Sequence, residues 1–132
     1  MDNGFLIAKS DKAKLHDKYL HKMLEIIKEL NPKYYYIENP RGGMRKAEMM
    51  QEFNDRGRYT ITYCQYQDTR MKPSDIWSNH PDPKFKPMCK NGDSCHEPAP
   101  RGSRTGTQGL KGSVERSIVP EQLCEEILEN IA

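Results

Sequence analysis

The sequence predicts an α/β fold in a single domain of 132 residues. Three observations lead to this prediction: an amphipathic helical pattern runs directly into a continuous apolar strand, an alternating pattern typical of a hairpin follows, and a second amphipathic helical pattern closes the chain. A helix that leads directly into an apolar strand is typical of parallel-sheet proteins, so we expect both faces of this strand to be covered. The predicted order is helix, central strand, helix, antiparallel hairpin, long loop and C-terminal helix.

The first helix begins at Ser10-Asp11. Apolar residues then recur at steps of three and four between Leu15 and Leu30, and Asn31-Pro32 ends the pattern. This periodicity predicts one apolar stripe that packs against the sheet.

The central strand is predicted over residues 34–38, where three tyrosines and an isoleucine favour an extended backbone. Pro40 cannot donate to a sheet and disfavours helical angles at Asn39, so the strand should stop at Glu38 or Asn39. Ligands of open α/β sheets bind beyond the carboxyl ends of the strands, which makes Glu38 and Asn39 the candidate catalytic residues. A plain strand end followed by a turn explains the same residues equally well.

The remaining elements follow in order. Residues 44–53 have helical spacing, and residues 58–66 and 72–77 are predicted to form an antiparallel hairpin. The single domain is therefore divided into an α/β part (10–78), a long Pro/Gly-rich loop (79–112) and a C-terminal helical segment (113–132). Pro120 should lie near the first turn of the last helix, and Cys124 on its apolar stripe is interpreted as a small buried hydrophobe.

Composition limits the classes of function. Mean hydropathy is −0.95 and 35% of the residues are hydrophobic, which is low for a compact α/β unit and indicates long polar loops or dependence on another protein. The sequence has no apolar segment of membrane-spanning length and no signal-peptide pattern, so we expect a cytoplasmic protein. The net charge is only +2, but basic residues cluster locally and can hold phosphates. The candidate phosphate contacts are Arg41, Arg45, Arg70, Lys72, Arg101, Arg104 and Lys111.

A metal site is a further candidate. Cys89, Cys95 and His96 lie close together in the sequence, and Cys64 or His80 would provide another ligand for zinc. The spacing of the two cysteines and the histidine is not that of a standard zinc knuckle, so ordinary loop cysteines are the alternative.

Four separate blocks of the sequence carry a resemblance to a known family, and they follow one another in this order: IENPRGGMRK, TYCQYQDTRMKPSDIWSN, CKNGDSCHEPAPRGSRTGTQGLKG and ERSIVPEQLCEEI. Together they resemble the second, target-side half of the cytosine-5 DNA methyltransferase-like proteins that bacteriophages often carry. The resemblance implies a partial Rossmann-like methyltransferase fold, in which Glu38 and Asn39 occupy the first two positions of the family's Glu-Asn-Val motif. Gln67, Arg70 and Lys72 match the family's Gln-x-Arg-x-Arg motif in part.

The resemblance also implies a reaction: transfer of a methyl group from S-adenosylmethionine to cytosine in DNA, with Glu38 as the acid that holds the edge of the flipped base. The family's glycine-rich cofactor loop and Pro-Cys nucleophile belong upstream of the first helix and do not occur in this sequence. We therefore expect activity only with a complementary, cofactor-binding half. The alternatives are a non-catalytic nucleic-acid-binding module, with or without zinc, and an inactive remnant.

Overall fold

The structure is a computed structural model that describes residues 4–98 and 113–132. These residues form a mixed α/β fold, which confirms the predicted class at that level. Short 3₁₀ turns at Gly43–Lys46, Glu48–Met50 and Tyr63–Tyr66 connect the larger elements. In chain order these are α1 (Asp11–Leu30), β1 (Tyr36–Pro40), α2 (Gln51–Arg56), β2 (Arg58–Thr62), β3 (Pro73–Ser78), α3 (Ser113–Ser117) and α4 (Glu121–Ile131).

The three strands form one antiparallel sheet in the order β1-β3-β2. Ile76 on β3 lies opposite Glu38 on one side and opposite Tyr59 on the other. The predicted hairpin of β2 and β3 is confirmed. The strand that the sequence predicts to be central, β1, instead lies at an edge of this sheet, because β3 pairs with both of the others.

Helix α1 begins and ends as predicted. The Ser10 hydroxyl caps its first turn by accepting the amide of Ala13 at 3.0 Å, and Asn31 ends it in the left-handed conformation with φ +43°. Only part of the apolar stripe is packed against the sheet. Leu24 is buried, whereas four apolar side chains of the same helix are at least 44% exposed: Leu15, Tyr19, Ile26 and Leu30.

The sheet is covered on both faces, as predicted. Residues from α1, the 3₁₀ turn before α2, and α2 form one core with the first face of the sheet: Leu24, Tyr35, Ile37, Met50, Phe53 and Trp77. Residues of the Tyr63–Tyr66 turn and of α4 form a second core with the other face: Ile61, Tyr63, Tyr66, Ile76 and Leu123. Because side chains alternate along β1, Ile37 faces α1 and Glu38 faces the second core.

Two predicted elements are shorter than expected. The strand predicted over residues 58–66 ends at Thr62, and a 3₁₀ turn then directs both Tyr63 and Tyr66 into the second core. The helix predicted over residues 44–53 is interrupted: two 3₁₀ turns occupy its first part, and α2 begins only at Gln51. The last helix, α4, has Pro120 as its N-cap, as predicted, and the short helix α3 precedes it. Residues 79–98 carry no helix or strand, as predicted for that part of the loop. No helix in the described ranges has the length and apolar character needed to cross a membrane.

Candidate metal centre and Glu38 pocket

Glu38 lies on β1 with its carboxylate directed toward the second core. Its Oε1 accepts a hydrogen bond of 2.9 Å from the hydroxyl of Tyr63, whose side chain is only 1% exposed. The sequence did not identify Tyr63 as a functional residue, because the alternating pattern placed it inside a strand. Its 3₁₀ turn instead brings the hydroxyl to the carboxylate, and burial followed by the charge of Glu38 raises the pKa of Tyr63.

An open pocket of about 280 Å³ adjoins this carboxylate and is lined by Glu38, Pro40, Lys72, Arg116 and Ser117. The Lys72 ammonium lies 5.1 Å from the centre of the Tyr63 ring and donates to the carbonyl of Arg116. Burial, and then the charge of Arg70, lower the pKa of Lys72. The pocket therefore combines a hydrogen-bonded carboxylate with a partly desolvated cation.

Asn39, the other predicted catalytic residue, does not share this pocket. It lines a separate pocket of about 700 Å³ between the N-terminal segment, α1 and the turn after β1, with apolar walls that include Leu6 and Met44. Neighbouring residues of a strand point to opposite faces, so Glu38 and Asn39 cannot converge on one small ligand from β1.

Arg70 was a predicted DNA contact, but it is only 2% exposed. Its guanidinium donates to the Asp68 carboxylate at 2.6 and 2.9 Å, and to the carbonyls of Arg116 and Ile118 at 2.8 and 2.9 Å. Burial tends to raise the pKa of Asp68, but the hydrogen bonds and charge of Arg70 outweigh it and lower that pKa. These contacts assign Arg70 a structural role, in which it ties the β2–β3 connection to the end of α3.

Arg45 is also engaged within the protein. Its guanidinium donates to both carboxylate oxygens of Asp75, which is fully buried on β3, and to the hydroxyl of Thr60 at 3.2 Å. Arg41, four residues earlier, is exposed. The remaining predicted DNA contacts, Arg101, Arg104 and Lys111, lie outside the described residues.

The four predicted metal ligands converge. The ligand atoms of Cys64, Cys89, Cys95 and His96 all lie within 4.8 Å of one another, although Cys64 is far from the other three in sequence. His80, the alternative ligand, does not belong to this cluster and packs against the ring of Tyr34 at 4.8 Å. Three cysteines and one histidine form a complete donor set for a tetrahedral metal ion such as zinc.

The distances in the cluster suit a tetrahedral ion. Metal–sulfur bonds of about 2.3 Å and metal–nitrogen bonds of about 2.05 Å place sulfurs about 3.8 Å apart and sulfur about 3.6 Å from nitrogen. The His96 Nδ1 lies 3.5 Å from the sulfur of Cys95 and 3.6 Å from that of Cys89. The sulfur of Cys64 lies 3.4 Å from that of Cys95 and 3.1 Å from that of Cys89, so a bound ion would separate these thiols by a few tenths of an ångström.

Backbone contacts hold the loop that carries three of these ligands. The amide of Cys89 donates to the Thr62 hydroxyl at 3.0 Å, and the amide of Glu97 donates to the carbonyl of Thr69 at 2.8 Å. Burial, and then hydrogen bonds with Cys89 and Cys95, raise the pKa of Cys64 to about 12. The Cys64 thiol therefore keeps its proton unless a bound cation displaces it.

The fourth cysteine is separate from the cluster. Cys124 is exposed on α4, so its interpretation as a buried hydrophobe is wrong. Leu123, its neighbour, is the residue of that turn that is packed in the second core.

Comparison with known proteins adds no assignment: no protein-family model, curated protein or solved structure matches this chain.

Proposed function

We propose that this chain is the target-side half of a DNA cytosine-5 methyltransferase-like protein, active only with a complementary half that binds the cofactor. The observation that carries the proposal is the Glu38 carboxylate, which the buried Tyr63 hydroxyl holds at 2.9 Å beside a pocket that also contains Lys72. A positioned carboxyl group can donate to and accept from the Watson–Crick edge of a flipped base. The neighbouring Lys72 ammonium can stabilise negative charge that develops on the cytosine ring.

The strand order supports the Rossmann-like part of the proposal. Strands β1 and β2 are parallel to each other, and β3 lies antiparallel between them, an arrangement that fits the mixed end of a larger parallel sheet. Within the described residues, β1 pairs only with β3, so its other edge is available to a strand of the complementary half. The exposed side chains of α1 provide apolar surface for the same partner.

In this mechanism the complementary half supplies the Pro-Cys nucleophile, whose thiolate would add to the cytosine ring, and binds S-adenosylmethionine, which would provide the methyl group. Neither the Pro-Cys pair nor the cofactor loop occurs in this sequence. Glu38 orients the base and shares a proton with it while charge develops on the ring. Arg41 is exposed beyond β1 and is available to a phosphate of the DNA, a role that we also assign to Arg101, Arg104 and Lys111.

The proposal is tested by replacing Glu38→Gln, which keeps the shape of the side chain and an oxygen that can accept from Tyr63. In methyl transfer from labelled S-adenosylmethionine to DNA, with the complementary half supplied separately, we expect a loss of about 10²- to 10⁴-fold. Glu48→Gln is the matched control, because Glu48 is exposed on a 3₁₀ turn away from the pocket. Wild-type turnover in Glu38→Gln would contradict the proposal.

We also infer that the Cys/His cluster holds Zn²⁺ as a structural ion. Three thiolates and one imidazole fill all four tetrahedral positions and leave none open for a substrate, as in structural rather than catalytic zinc sites. We expect about one zinc per chain by elemental analysis, together with the visible absorption of a tetrahedral thiolate complex after exchange for Co²⁺. Cys95→Ser should abolish both signals and Cys124→Ser should leave them unchanged; a metal-free wild-type chain would refute the assignment.

The second candidate function is a non-catalytic nucleic-acid-binding module, which the closed Cys/His site favours. Such a module would bind DNA without the complementary half, with an affinity that falls steeply as salt increases. Binding that is equally tight for Glu38→Gln and wild type, combined with no methyl transfer by the two-part protein, would favour this candidate over the enzyme.

A further inference from the structure

The metal cluster and the Glu38 pocket share one short piece of backbone. Tyr63 and Cys64 are consecutive residues of the same 3₁₀ turn: the hydroxyl of Tyr63 donates to Glu38, and the sulfur of Cys64 belongs to the cluster. Because one peptide bond joins these residues, a force that fixes Cys64 also limits where the Tyr63 ring can lie.

The turn is anchored from both sides. The Tyr63 amide donates to the carbonyl of Met71 at 2.8 Å, and the preceding residue, Thr62, accepts the amide of Cys89 from the cluster loop. The loop has no helix or strand over residues 79–98. It is attached by a few hydrogen bonds, by the Phe85 ring against the second core, and by the cluster, which is the attachment nearest to Cys64. A bound metal would convert this contact of loop and turn into a fixed junction.

The position of Tyr63 matters because its hydroxyl holds one oxygen of Glu38. The ring is nearly fully buried and lies within about 5 Å of two cations, with its centre 5.2 Å from the guanidinium carbon of Arg70 and 5.1 Å from the ammonium of Lys72. A hydrogen bond to a carboxylate is stronger and more directional than one between neutral groups. Its loss would leave the Glu38 side chain free to rotate in an open pocket.

We propose that the metal centre positions Glu38 through Tyr63: the bound ion fixes Cys64, the turn holds Tyr63, and Tyr63 orients the carboxylate. Tyr63 is thus a positioning residue, and the metal acts on the pocket without touching a substrate. This inference rests on the proposed roles of Glu38 and of zinc. It predicts that the pocket loses its order when the metal is removed, while the opposite face of the sheet keeps its packing.

The coupling can be measured on the full chain without any methyl transfer, by ¹⁹F NMR of protein labelled with 3-fluorotyrosine. Single Tyr→Phe replacements assign the resonances of Tyr63, of Tyr35 in the core beside α1, and of the exposed Tyr19. With Zn²⁺ bound, Glu38→Gln should shift the Tyr63 resonance. Chelation of Zn²⁺ should shift and broaden that resonance in the wild-type chain while leaving those of Tyr35 and Tyr19 unchanged.

Two results of this experiment overturn the inference. A Tyr63 resonance that is the same with and without Zn²⁺ shows no coupling between the sites. A change in Tyr35 as large as that in Tyr63 shows that the metal is required for the whole fold and not for this turn.

A kinetic arm separates the inference from the proposed function. With Zn²⁺ bound, Tyr63→Phe should lower kcat by about 10- to 100-fold with little change in KM for DNA, because a hydrogen bond to a charged group is lost. Tyr66→Phe is the matched control, since Tyr66 is equally buried in the same turn but accepts from the amide of Lys86 instead. Equal kcat values for the two variants overturn the positioning role. Absence of turnover in wild type refutes the enzyme assignment and leaves the NMR result standing.

Discussion

Replacing Arg45 by methionine should destabilise the protein strongly, although the sequence presents Arg45 as one more basic residue of a surface loop. The guanidinium of Arg45 is the charged partner of Asp75, which is fully buried at the centre of the sheet. Removing one partner of a buried ion pair leaves an uncompensated charge and costs about 3–5 kcal/mol. The Thr60 hydroxyl still donates to Asp75 at 2.9 Å, so we expect a loss at the lower end, about 3 kcal/mol.

A loss of this size is a large part of the 5–15 kcal/mol that stabilises a typical domain, and it should lower Tm by about 10–15 °C. Replacing the other partner of the pair, Asp75→Asn, should cost less, about 1–2 kcal/mol, because the side chain of Arg45 is 24% exposed and water can reach its unpaired guanidinium. Arg45→Met should therefore lower the free energy of unfolding more than Asp75→Asn does, because the charge that it leaves unpaired is the more deeply buried one.

Urea unfolding of the metal-loaded chain measures these values. Arg41→Met is the matched control, because Arg41 is exposed, and its replacement should change the free energy of unfolding by less than about 0.5 kcal/mol. The reasoning fails if Arg45→Met unfolds at the same urea concentration as wild type, or if Arg41→Met and Arg45→Met are equally destabilised.

Three further predictions follow from individual contacts. Gly57→Ala should cost about 1–3 kcal/mol in urea unfolding, because Gly57 has φ +155° and a Cβ there would lie 2.7 Å from the Ser78 carbonyl oxygen. Gly42→Ala should cost much less, because a Cβ at Gly42 would make only an ordinary contact, 3.8 Å from the Pro40 carbonyl oxygen. With Zn²⁺ bound, a thiol reagent should modify Cys124 alone at a rapid rate, and chelation should expose the three cluster thiols to the reagent. Arg70 lowers the pKa of Asp68 in the folded protein. The ion pair therefore stabilises the fold fully above the pKa of an unfolded aspartate, about 3.9, and this stability is lost as pH falls through the lower pKa of the folded state. Asp68→Asn should remove this part of the dependence of the unfolding free energy on acid pH.

The secondary-structure elements that could be predicted from the sequence are those that depend on residues close together in the chain. Helix α1 follows from a serine cap, a helical apolar pattern and an Asn-Pro stop, and the β2–β3 hairpin follows from an alternating pattern. The short spacing of Cys89, Cys95 and His96 also predicts a set of metal ligands completed by Cys64, although ordinary loop cysteines explain the same spacing until the structure brings the four residues together. Local patterns do not say which residues will meet across the sheet.

The roles that the sequence does not reveal depend on such distant partners. Arg45 and Arg41 look alike until Asp75, thirty positions later, pairs with one of them. Tyr63 becomes a partner of Glu38 only because a 3₁₀ turn interrupts the strand pattern. Glu38 and Asn39 look like one catalytic pair in the sequence, but the pleat of β1 directs them to different pockets. Their functional roles stay predictions until the variants are assayed.

The spacing of the metal ligands along the chain has a consequence for the unfolded state. The sulfur of Cys64 meets those of Cys89 and Cys95, which lie 25 and 31 positions away, so a bound ion closes a long loop as a covalent cross-link would. In the chain-entropy description, a loop of about 25 residues that stays closed disfavours the unfolded ensemble by about 3.5 kcal/mol, so this constraint acts for as long as the ion stays bound. An ion that leaves on unfolding stabilises the fold by its binding free energy instead. A metal gives this constraint without oxidising any thiol. It is therefore a cross-link that survives reducing agents and that a chelator or acid can reverse.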